Sequence, residues 1–246
     1  MGLASIITYI LIGLSAGFMS GMFGIGGGSV RIPLLNLAGL PLLSAFGINL
    51  WVIPFSSLVG AISQRRNIDK KIAPYMIIGG TLGSITGAFL AGLIPTLVLA
   101  IIFVVTAFIT VFGIYLGRIA PKLAQKINPR SWNIIGGSLF LNLITGLRGG
   151  SGGSLFPPFL RAMRLDIHRA IATSLFVTIF TAIAAVVVYW HRGNIIWLPA
   201  ISVLIGSMIG ARIGSKISLK VKGTRLEIGL TTLVIALAFT TIYKAL

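Results

Sequence analysis

Runs of about 18 or more mostly apolar residues recur along the whole chain, each long enough to cross roughly 30 Å of hydrocarbon at 1.5 Å per residue. With 56% hydrophobic and only 9% charged residues and a mean hydropathy of +1.03, the 246 residues read as an all-α polytopic membrane protein with no soluble domain left over. The opening MGLASIITYI lacks a basic leader and a small-residue cleavage site, so it is expected to start a retained helix. The chain has no cysteine, which excludes disulfides and thiolate chemistry.

Lys and Arg number 20 against three acids, a net charge of +17. Most of the basic residues sit at the ends of apolar segments, where they meet anionic lipid headgroups, so orientation in a bilayer explains them better than nucleic acid does. Asp69, Asp166 and Glu227 lie in or beside basic loops. With no acid in the membrane interior, a cation site or a carboxylate proton relay is disfavoured.

The chain also repeats itself. GIGGGSVRIPLL, residues 24–35, overlies GGSGGSLFPPFL, residues 149–160, at a constant offset of 125, pairing Gly24 with Gly149, Ser29 with Ser154 and Pro33 with Pro158. The offset holds through Asn49 and Ser174, then becomes 127, where Gly79, Gly83 and Gly87 meet Gly206, Gly210 and Gly214. Two tandem homologous repeats are therefore expected, 1–117 and 131–246, joined by a polar linker over 118–130. Each has four long helices and one short segment after a Gly-rich break. The helices are expected near 3–22, 44–63, 73–92 and 95–117, then 131–147, 168–190, 195–215 and 225–245; the short pieces are 29–40 and 154–163.

Hydropathy leaves open whether each repeat crosses an even or an odd number of times, because a dozen residues span a bilayer poorly. Charge decides. With inverted repeats, the rich loops 64–71, 161–169 and 216–225 and the linker place fifteen basic residues on one face, against Arg192 and Lys244 on the other. The positive-inside rule then puts the linker in the cytoplasm and both termini outside the cell membrane. The odd count could arise from the short piece crossing as a fifth segment, or from a hairpin with the first helix that turns back mid-membrane.

Irregular backbone inside a bilayer persists only where protein buries it or where it lines a wet cavity, and matched breaks in two repeats point to a transporter's substrate site. Glycines allow close approach of a ligand to backbone N–H groups. Gly26, Gly27, Gly28, Gly152 and Gly153 are accordingly assigned to substrate. Ser29 and Ser154 are expected to cap short helices whose positive ends face an anion, with Pro33 and Pro158 in the first turn. Arg148 and Ser151 stand inside the second break, where Arg148 is expected to need an anion, a carbonyl cluster or water. Asn49, Thr173 and Ser174 could add donors. Arg31 is less favoured, because it could snorkel to the interface.

The glycine triplets four residues apart are the small-residue pattern of helix packing. Trp132, Trp190 and Trp197 fall at segment ends, as an interfacial belt requires, and Trp51 lies further in. His168 and His191 sit at loop edges without partners at ligand spacing, so neither a metal site nor a cofactor is expected. His168 beside Asp166 is a candidate pH sensor, set against a plain solvated loop.

At these residues the chain resembles the sulfite exporter TauE/SafE family: the GxGGGxxxxP-like break at Gly24–Pro33, its degenerate copy at Gly149–Pro158, the helix starts at Ala45–Asn49 and Ala170–Ser174, and the RRN and RGN loops. The resemblance implies movement of a small sulfur-containing anion, sulfite or an organosulfonate, across the cytoplasmic membrane. Arg148 and Ser151 depart from the family's usual second break. A secondary transporter is the first expectation and an anion channel the alternative. A membrane enzyme is disfavoured for want of a carboxylate pair, histidine cluster or cysteine.

Overall fold

In the computed structural model, the described residues are 2–91, 93–95, 98, 101, 105 and 130–232. They are helical throughout, without strands: α1 (Leu3–Phe23), α2 (Gly28–Leu37), α3 (Leu42–Ser63), α4 (Ala73–Ala91), α5 (Ser131–Leu147), α6 (Phe156–Ala162), α7 (Ile167–His191) and α8 (Trp197–Ser218). Residues 223–232 are helical as well. Five of these, α1, α3, α4, α7 and α8, are long and apolar enough to span a membrane. The helix expected near 95–117, most of the linker 118–130 and the end of the helix expected to 245 lie outside the described residues.

The ends of the helices have local causes. α1 stops where Gly24 turns left-handed at φ +71° and its amide bonds back to the Ser20 carbonyl at 2.8 Å. α7 starts at Asp166, whose carboxylate accepts the His168 amide at 2.9 Å. That is a capping role and gives no sign of the pH sensor considered for this pair.

Glycine stripes set the packing. A Cβ on Gly206, Gly210 or Gly214 of α8 would strike the carbonyls of Ile10, Leu14 and Phe18, and one on Gly13, Gly17 or Gly21 of α1 would strike Val203, Ser207 and Ala211. α1 and α8 thus run parallel with their backbones touching. α4 and α5 do the same, with Gly79, Gly83 and Gly87 against the carbonyls of Ile135, Leu139 and Leu143. Each pairing joins one helix from either side of the linker, and this is the packing role expected of the triplets.

Between the two pairs lie α3 and α7, which run antiparallel. Gly47 faces Asn194, Thr178 bonds Ser57 at 3.2 Å, and the Asp69 amide donates to the Thr173 hydroxyl at 2.9 Å. α3 and α7, which the sequence offset matches, therefore point in opposite directions. The basic loops meet at one end, where Arg169 pairs with Asp69 at 2.7 Å and Arg161 with Glu227 at 2.5 Å. At the other end Trp51, Trp190 and Trp197 form an aromatic cluster with centroids 5.2–6.0 Å apart, while Trp132 is exposed.

Candidate functional site: two crossed breaks

Two interruptions face each other between the helix pairs, and in both the backbone takes left-handed turns that glycine permits cheaply. In the first, Gly24, Gly26 and Gly27 have φ of 71°, 71° and 74°; in the second, Gly149 and Gly152 have φ of 69° and 78°. The Gly27 carbonyl accepts the amides of Val30 (3.2 Å) and Arg31 (2.8 Å), and the Gly152 carbonyl those of Leu155 and Phe156, both at 2.9 Å. These glycines open the turns leading into α2 and α6. The expectation that Ser29 and Ser154 are the caps is corrected: Ser29 lies inside the first turn of α2, and Ser154 precedes α6 and accepts a bond from Arg148 Nη2. Pro33 falls in the interior of α2 and not in its first turn, whereas Pro158 stands where expected.

The breaks cross in contact. A Cβ on Gly153 would lie 2.6 Å from the Ile25 carbonyl and 2.7 Å from the Gly26 nitrogen, so no other residue fits without moving the backbone. Each break is clasped by the opposite central helix. Asn49 Nδ2 donates to the Gly149 carbonyl at 2.7 Å, and Ser174 Oγ donates to the Gly24 carbonyl at 2.7 Å. Among the described residues, the amides of Gly26, Gly27, Gly28 and Ser29, and of Ser151, Gly153 and Ser154, donate to no protein acceptor. Several of these lie at the positive ends of α2 and of the turn into α6.

Arg31 is the residue that sequence reasoning undervalued. Far from snorkelling, it is 0% exposed and is the largest fully buried side chain among the described residues. Nη1 donates to Asn49 Oδ1 at 2.5 Å and Nη2 to Ser207 Oγ at 3.0 Å, while Nε has no protein partner. Ser207 in turn donates to the Gly13 carbonyl at 3.0 Å. Because Ser207 is halfway along α8, the guanidinium sits at the mid-depth of a spanning helix. The one available signal was the pairing of Ser207 with Gly80 at offset 127, a polar residue in an otherwise small-residue stripe.

The second break has a neutral framework. The Gly152 amide donates to Thr145 Oγ1 (2.8 Å), Thr145 to Asn142 Oδ1 (2.9 Å), and Asn142 Nδ2 to the Gly80 carbonyl (2.6 Å). The Ser151 carbonyl accepts from Thr181 at 3.0 Å, and its buried hydroxyl has no protein partner. Phe156, fully buried at the position matching Arg31, packs beside Gly80 and Gly152. Of the expected site residues, Thr173 is not brought to the crossing; its hydroxyl serves Asp69 instead.

The description "Sulfite exporter TauE/SafE" matches residues 9–241. The chain belongs to the sulfite exporter TauE/SafE family. Similar relatives are the "Probable membrane transporter protein YdhB" of Bacillus subtilis (strain 168), 29% identical over 209 residues that cover 81% of this chain and 84% of the relative. YunE of the same organism, also titled a probable membrane transporter protein, is 24% identical over 240 residues, 82% and 85% of the two lengths. No solved structure matches the chain. This TauE/SafE protein is thus a multi-pass membrane protein of a transporter family, and the crossed breaks lie within the matched region.

Proposed function

We propose that this TauE/SafE protein is a secondary transporter of a small sulfur-containing oxyanion, sulfite or an organosulfonate, across the cytoplasmic membrane, and that the anion binds where the two breaks cross. The observation that carries the reading is the set of amides without protein acceptors gathered beside a buried guanidinium. In a bilayer each unsatisfied polar group costs several kcal/mol, and an oxyanion offers acceptors in several directions at once. Gly26, Gly27, Gly28 and Ser29 from one side and Ser151, Gly153 and Ser154 from the other supply the donors, Arg31 and Arg148 supply charge, and Asn49, Ser174 and Gly152 hold the breaks in register.

The two units, 1–117 and 131–246, are an inverted duplication, with the linker in the cytoplasm and both termini outside. The gathering of basic loops around Asp69–Arg169 and Arg161–Glu227 at one end supports this. Cysteine-free protein makes it simple to test: Lys70→Cys and Leu219→Cys should be labelled from the cytosol and His191→Cys from outside. Labelling of Lys70→Cys and Leu219→Cys from opposite faces would refute the inversion.

Transport is tested in proteoliposomes loaded with sulfite or methanesulfonate. Flux should saturate and accelerate when anion is present on the far side. Gly27→Val, whose side chain would press on Arg31 and the Ala16 carbonyl, and Gly152→Val, which would strike Phe156 and Asn142, should each reduce it at least tenfold. Flux that never saturates would make the protein a channel, and flux indifferent to both substitutions would move the site elsewhere.

A further inference from the structure

The duplicated architecture contains its own controls for the role of Arg31. At the matching position the second short helix carries Phe156, equally buried, so the backbone of the break does not need an arginine there. Where α8 offers Ser207 to the guanidinium, α4 has Gly80, which packs against its neighbours without a polar side chain. Where Asn49 clasps Gly149, Ser174 clasps Gly24 at the same 2.7 Å with a hydroxyl alone. The clasp therefore requires one donor and no amide. The extra arm of Asn49, Oδ1 at 2.5 Å from Nη1, exists for Arg31.

The protein also withholds a counter-ion. The acids of the whole chain are three: Asp69 pairs with Arg169, Asp166 caps α7, and Glu227 pairs with Arg161. Both partners of Arg31 are neutral. An aspartate at 49 would neutralise the guanidinium but could not donate to the Gly149 carbonyl; the asparagine makes that clasp and leaves the charge on Arg31 unanswered. A buried charge with only neutral partners is costly, and the cost falls when an anion arrives.

We propose that Arg31 is the specificity-determining residue of the transport site, that Asn49 is the positioning residue holding it while leaving its charge unanswered, and that the ligand is a compact oxyanion supplying the missing counter-ion at the first break. The idea rests on the reading of the crossed breaks as the transport site. It assigns anion choice chiefly to Arg31 at the first break: the second break contributes amides, closure and the charge of Arg148, which sits at a different position, with Phe156 where the first break has its cation.

The test uses the full-length protein, purified, with thermal unfolding followed against sulfite, methanesulfonate and nitrate, and flux measured in proteoliposomes. In the parent protein the anions should raise the unfolding temperature in a concentration-dependent way. Asn49→Asp should abolish that anion-dependent rise and lower flux at least tenfold. Asn49→Ser, which copies Ser174 and keeps a clasp donor but gives up the arm that holds Arg31, should weaken both by clearly less than Asn49→Asp does. Arg31→Met should behave as Asn49→Asp does. Asn49→Asp that keeps binding and flux within twofold would overturn the proposal, as would Asn49→Leu failing as completely as Asn49→Asp, because leucine removes the clasp donor without adding charge and the clasp would then be at stake. A parent protein that answers nitrate but no sulfur anion, with the same ranking of variants, would uphold Arg31 while removing the sulfur reading. Sulfite transport unaffected by Arg31→Met would remove Arg31 and leave that reading intact. A parent protein that answers no anion overturns both.

Discussion

The two breaks share a backbone and differ in chemistry. Gly27 and Gly152 open their turns alike, and Gly24 and Gly149 are clasped alike. Yet each break carries one buried arginine at a different place. The first has Phe23 and Arg31; the second has Arg148 and Phe156 at the corresponding positions. Around Arg31 the neighbours are Asn49 and Ser207, and around Phe156 the hydrogen bonds close among Asn142, Thr145 and Gly80 without it. What must be symmetric is the crossing, because backbone meets backbone there. What is free to diverge is the side chain that looks into it, and divergence lets two matched breaks present an asymmetric site.

The twin positions 31 and 156 give the strongest way to break this comparison. Phe156→Ala should destabilise the protein by about 3–5 kcal/mol, as loss of a fully buried ring does. Arg31→Met should be far milder, changing stability by about 1 kcal/mol or less while transport collapses, because removing a buried charge offsets the orphaning of Asn49 Oδ1. Denaturation in detergent beside proteoliposome flux measures both. Equal destabilisation at the two positions would mean that Arg31 serves only to hold the fold.

Gly153 and Gly28 sharpen the comparison at the crossing itself. They match at offset 125, but a Cβ on Gly153 meets the Ile25 backbone, whereas one on Gly28 meets the side-chain amide of Asn49 at 2.6 Å. Gly153→Ala should cost about 1–3 kcal/mol and Gly28→Ala less, since a side chain can turn away and a backbone cannot. Unfolding of the two variants in parallel would reverse this ranking if the breaks did not touch. The smallest effect belongs to the ion pair at the loop end. Arg169 is half exposed, so Arg169→Ala should lower stability by about 0.2–1 kcal/mol. Asp69→Ala should cost more, because Asp69 also accepts the amides of Lys71 and Ile72 at the start of α4.

Much of this was legible in the chain. Apolar period and breakers placed the long helices within a few residues: 131–147 for α5, 168–190 against Ile167–His191 for α7, 195–215 against Trp197–Ser218 for α8. The glycine triplets announced their packing because spacing by four fixes a helix face whatever the partner. The pairing of Gly24 with Gly149 located the two stretches that cross. Arg31 escaped because its burial is made by α3 and α8, and Ser207 lies 176 residues away; nothing local separates a snorkelling arginine from an enclosed one. The serine caps failed for a related reason. Left-handed glycines can open a helix themselves, and the competition between Gly27 and Ser29 for that role is decided by the crossing chain.

The glycine seam between α1 and α8 bears on how the protein is made. α1 is made well before its partner: the backbone it must press against is synthesised about 190 residues later, a wait of about 10–40 s at ribosomal speed. Until then its bare face, Gly13, Gly17 and Gly21, meets only lipid tails or an insertion factor. Closure of this seam therefore waits for α8, and a ribosome that stops short of α8 leaves α1 without its neighbour.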